Sequence, residues 1–201
     1  MRLVLASRSP RRAELLRRAG YAFTVAPADI DERSLPGETP EAHVARLAAR
    51  KAAVAADRHP GAVALGADTV VVVGGLVLGK PADGVEAREM LRRLSGRTHD
   101  VLTGVAVASG AGRRAEVART RVTFRSLSPA EVDWYVASGE PADKAGAYAI
   151  QGRASRFVTG IEGSYTTVVG LPIAVVDRLL RSLAAGETTT GCGSGRPGGE
   201  D

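Results

Sequence analysis

The run Ala62-Val63-Ala64-Leu65-Gly66-Ala67-Asp68-Thr69-Val70-Val71-Val72-Val73 limits the fold more than any other stretch. It is the most strongly β-branched part of the chain, and such side chains suit a pleated, buried surface. It reads as a central strand. His59-Pro60-Gly61 before it is a turn, Gly74-Gly75 after it is a hairpin turn, and Leu76-Val77-Leu78 is the return strand. Asp68 interrupts the run. A carboxylate inside a buried strand needs a metal, a cation or hydrogen bonds. Buried structural ion pairs exist, but an Asp-Thr pair in an apolar strand is first a site candidate.

Other elements are spaced to flank such a strand. Leu3-Val4-Leu5 reads as a first strand, followed by a tight loop and a helix with Ser9 at its N-cap and Pro10 at its first position. Leu15, Leu16 and Ala19 give helical spacing, and Gly20 ends it. Arg11 and Arg12 stand in the first turn, where the helix dipole disfavours cations by roughly 0.3–1 kcal/mol each. Free backbone N–H groups, the Ser7 and Ser9 hydroxyls and two guanidiniums converge there. The plainest use is to hold an anion, a phosphate above all. The alternative is a solvated basic turn.

Phe23-Thr24-Val25 is a short strand, and Thr39-Pro40-Glu41 opens a helix running to about Asp57. Asp83-Gly84-Val85-Glu86 reads as a capping box before a helix with Met90, Leu91 and Leu94 inside. Thr98 to Ala108 and Glu116 to Arg125 form an antiparallel hairpin. Leu127-Ser128-Pro129-Ala130-Glu131-Val132 is a second capping box with a hydrophobic staple. Phe157-Val158-Thr159 is a strand fragment and Glu162-Gly163-Ser164-Tyr165 a turn. Ile173, Val176, Leu179, Leu180 and Leu183 mark a closing helix. From residue 186 to 201 the chain is mostly Gly, Thr and Ser, and is expected to be a disordered tail after one domain over 1–185.

Of 27 basic residues only Lys51, Lys80 and Lys144 are lysine. A chain that writes Arg by default keeps Lys where a compact point charge on a flexible stem is required. Lys51 falls inside the apolar stripe Val44, Leu47, Ala48, Ala55, so it lines a cleft or snorkels to solvent. Asp29, Asp31 and Glu32 put three carboxylates in four residues, which suits a divalent metal or a solvated acidic turn. His99, after Arg97-Thr98, either lines a cleft or is a satisfied surface histidine, and the surface is the expectation. The net charge of +5 fits anionic small molecules or nucleic acid, but only 4% of residues are aromatic, which weighs against base stacking. No apolar run spans a membrane, and the single Cys192 forms no disulfide within the chain. A cytoplasmic location and no membrane or stable nucleic-acid partner are expected. A homodimer stays open.

The stretches LASRSPRRAELL, ARLAARKA, LGADTVVV, GKPAD, LSGRTHDVLTGV, GEPADKAGAYAIQG and IEGSYTTVVGLP resemble the Maf family of nucleoside triphosphate pyrophosphatases, also called septum formation inhibitor proteins. The resemblance runs from Leu5 to Pro172. It implies an α/β fold related to the inosine triphosphate pyrophosphatases, with an elongated mixed β-sheet flanked by helices and two lobes around a cleft. It implies hydrolysis of a nucleoside triphosphate to monophosphate and pyrophosphate with a divalent cation, Mg, Mn or Co. By resemblance Asp68 is general base and metal ligand, Glu32 is a metal ligand or water-orienting group, and Lys51 and Lys80 bind phosphate. Ser7, Ser9 and Arg12 fall in the phosphate loop. Arg11, Thr69 and Gln151 match positions that mark the branch acting on dTTP and UTP, modified pyrimidine nucleotides being a further substrate class. In the 7-methyl-GTP branch the equivalent of Gln151 is typically Glu. Thr167 departs from the pattern GSYxNVVGLP, where many relatives carry Asn. The rival readings are a non-catalytic regulator of septum formation and a nucleic-acid-binding module.

Overall fold

Val63–Val73 forms strand β3 near the middle of a seven-stranded mixed sheet in the computed structural model, which describes residues 1–185. The tail expected over 186–201 lies outside the described residues. β1 (Leu3–Leu5) and β2 (Phe23–Val25) run parallel on one side of the sheet. The long strands β5 (Thr98–Ser109) and β6 (Gly112–Phe124), then β7 (Val158–Glu162), run antiparallel on the other. β4 (Leu76–Leu78) folds back onto the end of β3 through the Gly74-Gly75 turn.

One edge of β3 is shared by two short partners. β1 covers Val63 to Leu65, and β4 covers Val71 to Val73. Among the described residues no strand covers Gly66 to Val70 on that side, while β5 pairs with the whole length on the other. The sheet therefore has a notch, and Asp68 sits in the middle of it.

The two faces of β3 differ in size of side chain, and that decides which helix lies where. On one face stand Ala64, Gly66, Asp68 and Val70, against helix α2 (Pro40–Arg58). A Cβ at Gly66 would run into the Ala48 carbonyl oxygen, and one at Gly104 of β5 into that of Val44. Only glycine lets the helix backbone lie directly on the sheet there. Ala106 and Ala108 continue this flat surface against Ala48 and Ala52.

On the opposite face two separate hydrophobic clusters form. Leu65 and Ala67 join Leu5, Leu16, Leu171 and Val176, which brings in helices α1 (Pro10–Arg18) and α6 (Ile173–Ala184). Val71 and Val73 join Met90, Leu91, Tyr135 and Phe157, which brings in α3 (Gly84–Leu94) and α4 (Pro129–Ala137). These clusters are the cores of the two lobes, and the notch opens between them.

Helix starts follow the sequence. Ser9, Thr39 and Asp83 cap α1, α2 and α3, and Ser128 and Glu131 form a reciprocal capping box on α4. At α3 the box is shifted: Glu86 accepts from the Ala82 N–H, one residue before Asp83. The expected turn at Glu162–Tyr165 passes directly into a short helix, α5 (Tyr165–Val169). His99 is not at the surface: it is buried, because its strand position faces Phe124 and Tyr148.

Candidate active site

The notch opens into a cleft of about 870 Å³, within the range of pockets that enclose a nucleotide-sized ligand. All ten candidate residues line it: Ser7, Ser9, Arg11, Arg12, Glu32, Lys51, Asp68, Thr69, Lys80 and Gln151. They come from the β1–α1 loop with the first turn of α1 that continues it, the loop after β2, helix α2, strand β3, the turn after β4 and the loops after α4.

Lys51 is the centre of the cleft. The two glycines at 66 and 104 seat α2 so low that its inward-facing lysine reaches strand β3. Its Nζ donates to Asp68 Oδ1 at 2.7 Å and pairs with Glu32 Oε1 at 2.7 Å. Lys51 and Asp68 are only 6% and 8% exposed, so neither charge stands alone in the low-dielectric interior. The helical spacing thus places Lys51 in the cleft. Burial pushes the Glu32 carboxyl up, but the hydrogen bond and charge of Lys51, with Lys80 and Arg12, outweigh it and hold the group below its ordinary range. Asp68 Oδ2 accepts no hydrogen bond from the described residues.

The acidic loop does not act as a unit. Asp29 pairs with Arg8, and Asp31 is held by the Arg33 side chain and backbone N–H. Only Glu32 turns toward Lys51. Among the described residues no group of three or more His, Cys, Asp or Glu converges as a metal-binding cluster. Two carboxylates that meet at one ammonium are the donors available.

Arg12 is more embedded than a loop arginine. Its Nε donates to the Gly170 carbonyl at 2.7 Å, Nη1 to the Ala67 carbonyl at 2.8 Å and to Ser7 Oγ at 3.3 Å, and Nη2 to Thr69 Oγ1 at 3.0 Å. Four of its five N–H donors are therefore committed, and burial lowers its pKa, against the pull of Asp68. The Ala67 carbonyl lies on the open edge of β3, so Arg12 stands in there for a missing strand. Thr69 Oγ1 accepts from Arg12 and shares a hydrogen with Thr103, whose hydroxyl donates to the Thr167 carbonyl. With Thr103 donating to Thr167, the Thr69 proton goes to Thr103 and is not available to a base.

Ser9 Oγ accepts from the Arg12 N–H, and Ser7 Oγ from the Ser9 N–H. Both hydroxyls act as acceptors here, which leaves their protons for an anion. Arg11 reaches across the cleft to Asp143, with Nη1–Oδ2 at 3.1 Å. Lys144 pairs with the same carboxylate and donates to the Glu140 carbonyl at 3.2 Å. Burial raises Asp143, but Lys144 and Arg11 together hold it low. Lys80 makes no hydrogen bond or ion pair with the described residues. Gln151 is exposed on the opposite wall, in a turn closed by the Gly152 N–H on the Ala149 carbonyl at 3.0 Å.

Sequence reasoning missed Asp143, Thr103 and His99. His99 donates to or accepts from the Tyr148 hydroxyl at 2.9 Å, and burial pushes its pKa down to about 4. Tyr148 lines the cleft. Nothing local marks these partners, which come together only through the fold.

Fold and site define an α/β protein whose mixed-charge cleft matches a polyanion of nucleotide size. The chain belongs to the Maf family: the family model described as Maf-like protein matches residues 2–183. The chain is 60% identical over 180 residues to the dTTP/UTP pyrophosphatase of Myxococcus xanthus, covering 89% of this chain and 90% of that one. It is 56% identical over 184 residues to the dTTP/UTP pyrophosphatase of Anaeromyxobacter dehalogenans, covering 90% and 93%. Against the protein of the same name from Symbiobacterium thermophilum it is 51% identical over 191 residues, covering 95% and 98%. Among solved structures the fold is similar to the Ham1 protein of Staphylococcus aureus, TM-score 0.51 at 12% identity, covering 90% of this chain and 99% of that one. A HAM1 protein from Coxiella burnetii gives TM-score 0.51 at 18% identity, with the same coverage.

Proposed function

We propose that this chain hydrolyses dTTP and UTP to the nucleoside monophosphate and pyrophosphate. The observation that carries the chemistry is the Glu32–Lys51–Asp68 cluster in the notch of the sheet. The names of relatives at 51–60% identity support the substrate class. A non-catalytic regulator would not need a buried, mutually neutralised lysine and carboxylate pair facing open space. A nucleic-acid module would need several stacking aromatics, and the cleft has only the rings of Tyr148 and His43 among the described residues.

Water attacks the α-phosphorus, forming one P–O bond and breaking the bond to the oxygen that bridges to the β-phosphorus. Pyrophosphate leaves with that electron pair. Asp68 Oδ2 takes the proton of the attacking water, while Lys51 fixes the same carboxylate through Oδ1. Lys80, with no carboxylate partner to release, is placed to receive phosphate charge. The β1–α1 loop adds the Ser7 and Ser9 hydroxyls, backbone N–H groups and the last N–H of Arg12.

A divalent cation, Mg, Mn or Co, fits this donor set. Glu32 and Asp68 are two oxygen ligands, and Mg²⁺ is commonly held by one or two carboxylates together with substrate phosphates. When bound, it neutralises phosphate and leaving-group charge. Base choice falls to Gln151, whose amide can accept from the central N–H of uracil or thymine and donate to a flanking carbonyl. Cytosine has no N–H at that position.

Pyrophosphate release across dTTP, UTP, dCTP, ATP and GTP, with each metal, tests the assignment. Highest kcat/KM on dTTP and UTP is expected, and Asp68→Asn is expected to lower kcat by roughly 10²–10⁴ with the fold kept. A purine triphosphate as best substrate, or near-wild-type turnover by Asp68→Asn at saturating metal, would refute it.

A further inference from the structure

Gln151 is exposed on a four-residue turn, Ala149–Gly152, and an exposed amide selects a base only if its backbone is held. Both ends of that turn are tied to one pair of side chains, the buried Tyr135 and the half-buried Glu140. The Ala149 N–H donates to the Tyr135 hydroxyl at 3.1 Å. The same hydroxyl donates to Glu140 Oε1 at 2.8 Å. The other carboxylate oxygen, Oε2, accepts the Arg153 N–H at 3.1 Å, immediately after the turn. Gly152 lies flat on this carboxylate, and a Cβ there would collide with both oxygens.

Tyr135 itself is fully buried in the α4 lobe, ring edge to ring with Phe157. Its hydroxyl is therefore a fixed point of the core rather than a surface group. The phenol accepts one backbone N–H and donates its only proton to a carboxylate, so its hydrogen bonding is directional at both ends. Neither Tyr135 nor Glu140 lines the cleft.

We propose that the Tyr135–Glu140 pair is a positioning device that sets base discrimination by fixing the turn that presents Gln151. The inference rests on Gln151 reading the base. A misplaced recognition group costs selectivity steeply, because a shift of about 1 Å can change a rate by about 10²-fold. The pair acts on which base is accepted and not on the phosphoryl chemistry, which is assembled from β3, α2, the β1–α1 loop, Glu32 after β2 and Lys80 after β4.

The test measures kcat/KM of the full chain on dTTP, dCTP and ribose 5-triphosphate, which carries no base. Gln151→Ala should lower the dTTP:dCTP ratio about tenfold or more. Tyr135→Phe keeps the ring and removes the hydroxyl. It should lower the ratio about tenfold through KM for dTTP, as loss of one strong hydrogen bond would. Turnover of ribose 5-triphosphate should stay within about twofold of wild type. Adding Tyr135→Phe to Gln151→Ala should change the ratio no further. Glu140→Gln, which can serve Tyr135 or the Arg153 N–H as acceptor but not both through its single carbonyl, should shift the ratio in the same direction. It carries the test where Tyr135→Phe does not fold. If Gln151→Ala leaves the ratio unchanged, base reading by Gln151 and the brace fall together. If Gln151→Ala lowers it while Tyr135→Phe and Glu140→Gln do not, the brace alone is wrong. Equal losses on all three substrates would also overturn it, since they would mean general damage to the fold.

Discussion

Lys51 is stable in the interior because two carboxylates share it. A lone buried ammonium would be costly, and a lone buried Asp68 equally so. The pairing makes the lysine a test of the site. Lys51→Ala is expected to cut kcat by about 10²-fold, the scale of removing one preorganised charge donor. Circular dichroism should remain that of a folded protein with a lower melting temperature, because Glu32 is half-exposed and can turn to solvent while Asp68 loses its partner in the interior. Unaltered kinetics would mean that the ammonium does no more than balance Asp68. His99 gives a second residue-scale prediction. Its pKa is about 4 in the folded chain, against an ordinary value near 6.5. The unfolded chain takes up the proton first as pH falls, so the histidine's contribution is complete above about 6.5 and is lost as pH drops through about 4. The full loss amounts to roughly 3 kcal/mol. The carboxyls held lowest, Asp31, Glu38 and Glu131, are lowered to about 2, so their contribution is lost mainly as pH falls from the ordinary carboxyl range toward 2, below about pH 5. Urea midpoints at pH 7 and pH 5 should therefore fall in the wild type and much less in His99→Gln. Parallel pH slopes for the two proteins would rule His99 out as the cause.

At the scale of elements, the position of α2 depends on two hydrogen atoms. Gly66 and Gly104 have no Cβ where the helix backbone crosses the sheet. Gly66→Ala should push α2 outward, destabilise the fold by about 1–3 kcal/mol and lower kcat by separating Lys51 from Asp68. Melting temperature and turnover measured together check this, and a variant with wild-type values of both would show that the helix seat is not tight. Much of this element was legible in the sequence. The apolar stripe of α2 pointed Lys51 inward, the β-branched run located β3, and Asp68 stood out because it and Thr69 are the polar pair in an otherwise apolar strand. Helix caps were legible because they are local. What stayed hidden depends on distant segments meeting. Arg11 and Asp143 are 132 residues apart, and nothing near either one names the other. His99 reads as surface after the polar pair Arg97-Thr98, yet its burial is decided by Phe124 and Tyr148. The commitment of Arg12 to three carbonyl- or hydroxyl-bearing segments was equally invisible, since an arginine at a helix N-terminus looks free until the open edge of β3 is placed beside it.

For the whole molecule, the notch in the sheet joins two lobes whose cores are separate. The groups around it come from six segments, and a single continuous strand, β3, presents Asp68 to one face and Thr69 to the other. The chemistry and the scaffold that supports it are thus on opposite sides of one backbone. The charges in the cleft have a further consequence. Arg8, Arg11, Arg12, Lys51, Lys80 and Lys144 line it together with Asp29, Asp31, Glu32, Asp68 and Asp143. Six cations against five carboxylates make a cavity that is close to neutral when seen from a Debye length away, about 10 Å in ordinary buffers. Such a cavity exerts little long-range attraction, and a polyanion gains strong contacts only once inside, at Lys80 and by displacing carboxylates from Arg11, Lys51 and Lys144, which already face them. The association rate should therefore respond weakly to salt, giving a shallow slope of log kcat/KM against log ionic strength for dTTP. Asp143→Asn, which frees Arg11 and Lys144 of their shared partner, should steepen that slope, and an equal slope would mean the two cations are not exposed by its loss. The protein then admits its substrate by exchange of ion partners at close range and does not gather anions from a distance, which in a medium crowded with other phosphates is itself a form of selectivity.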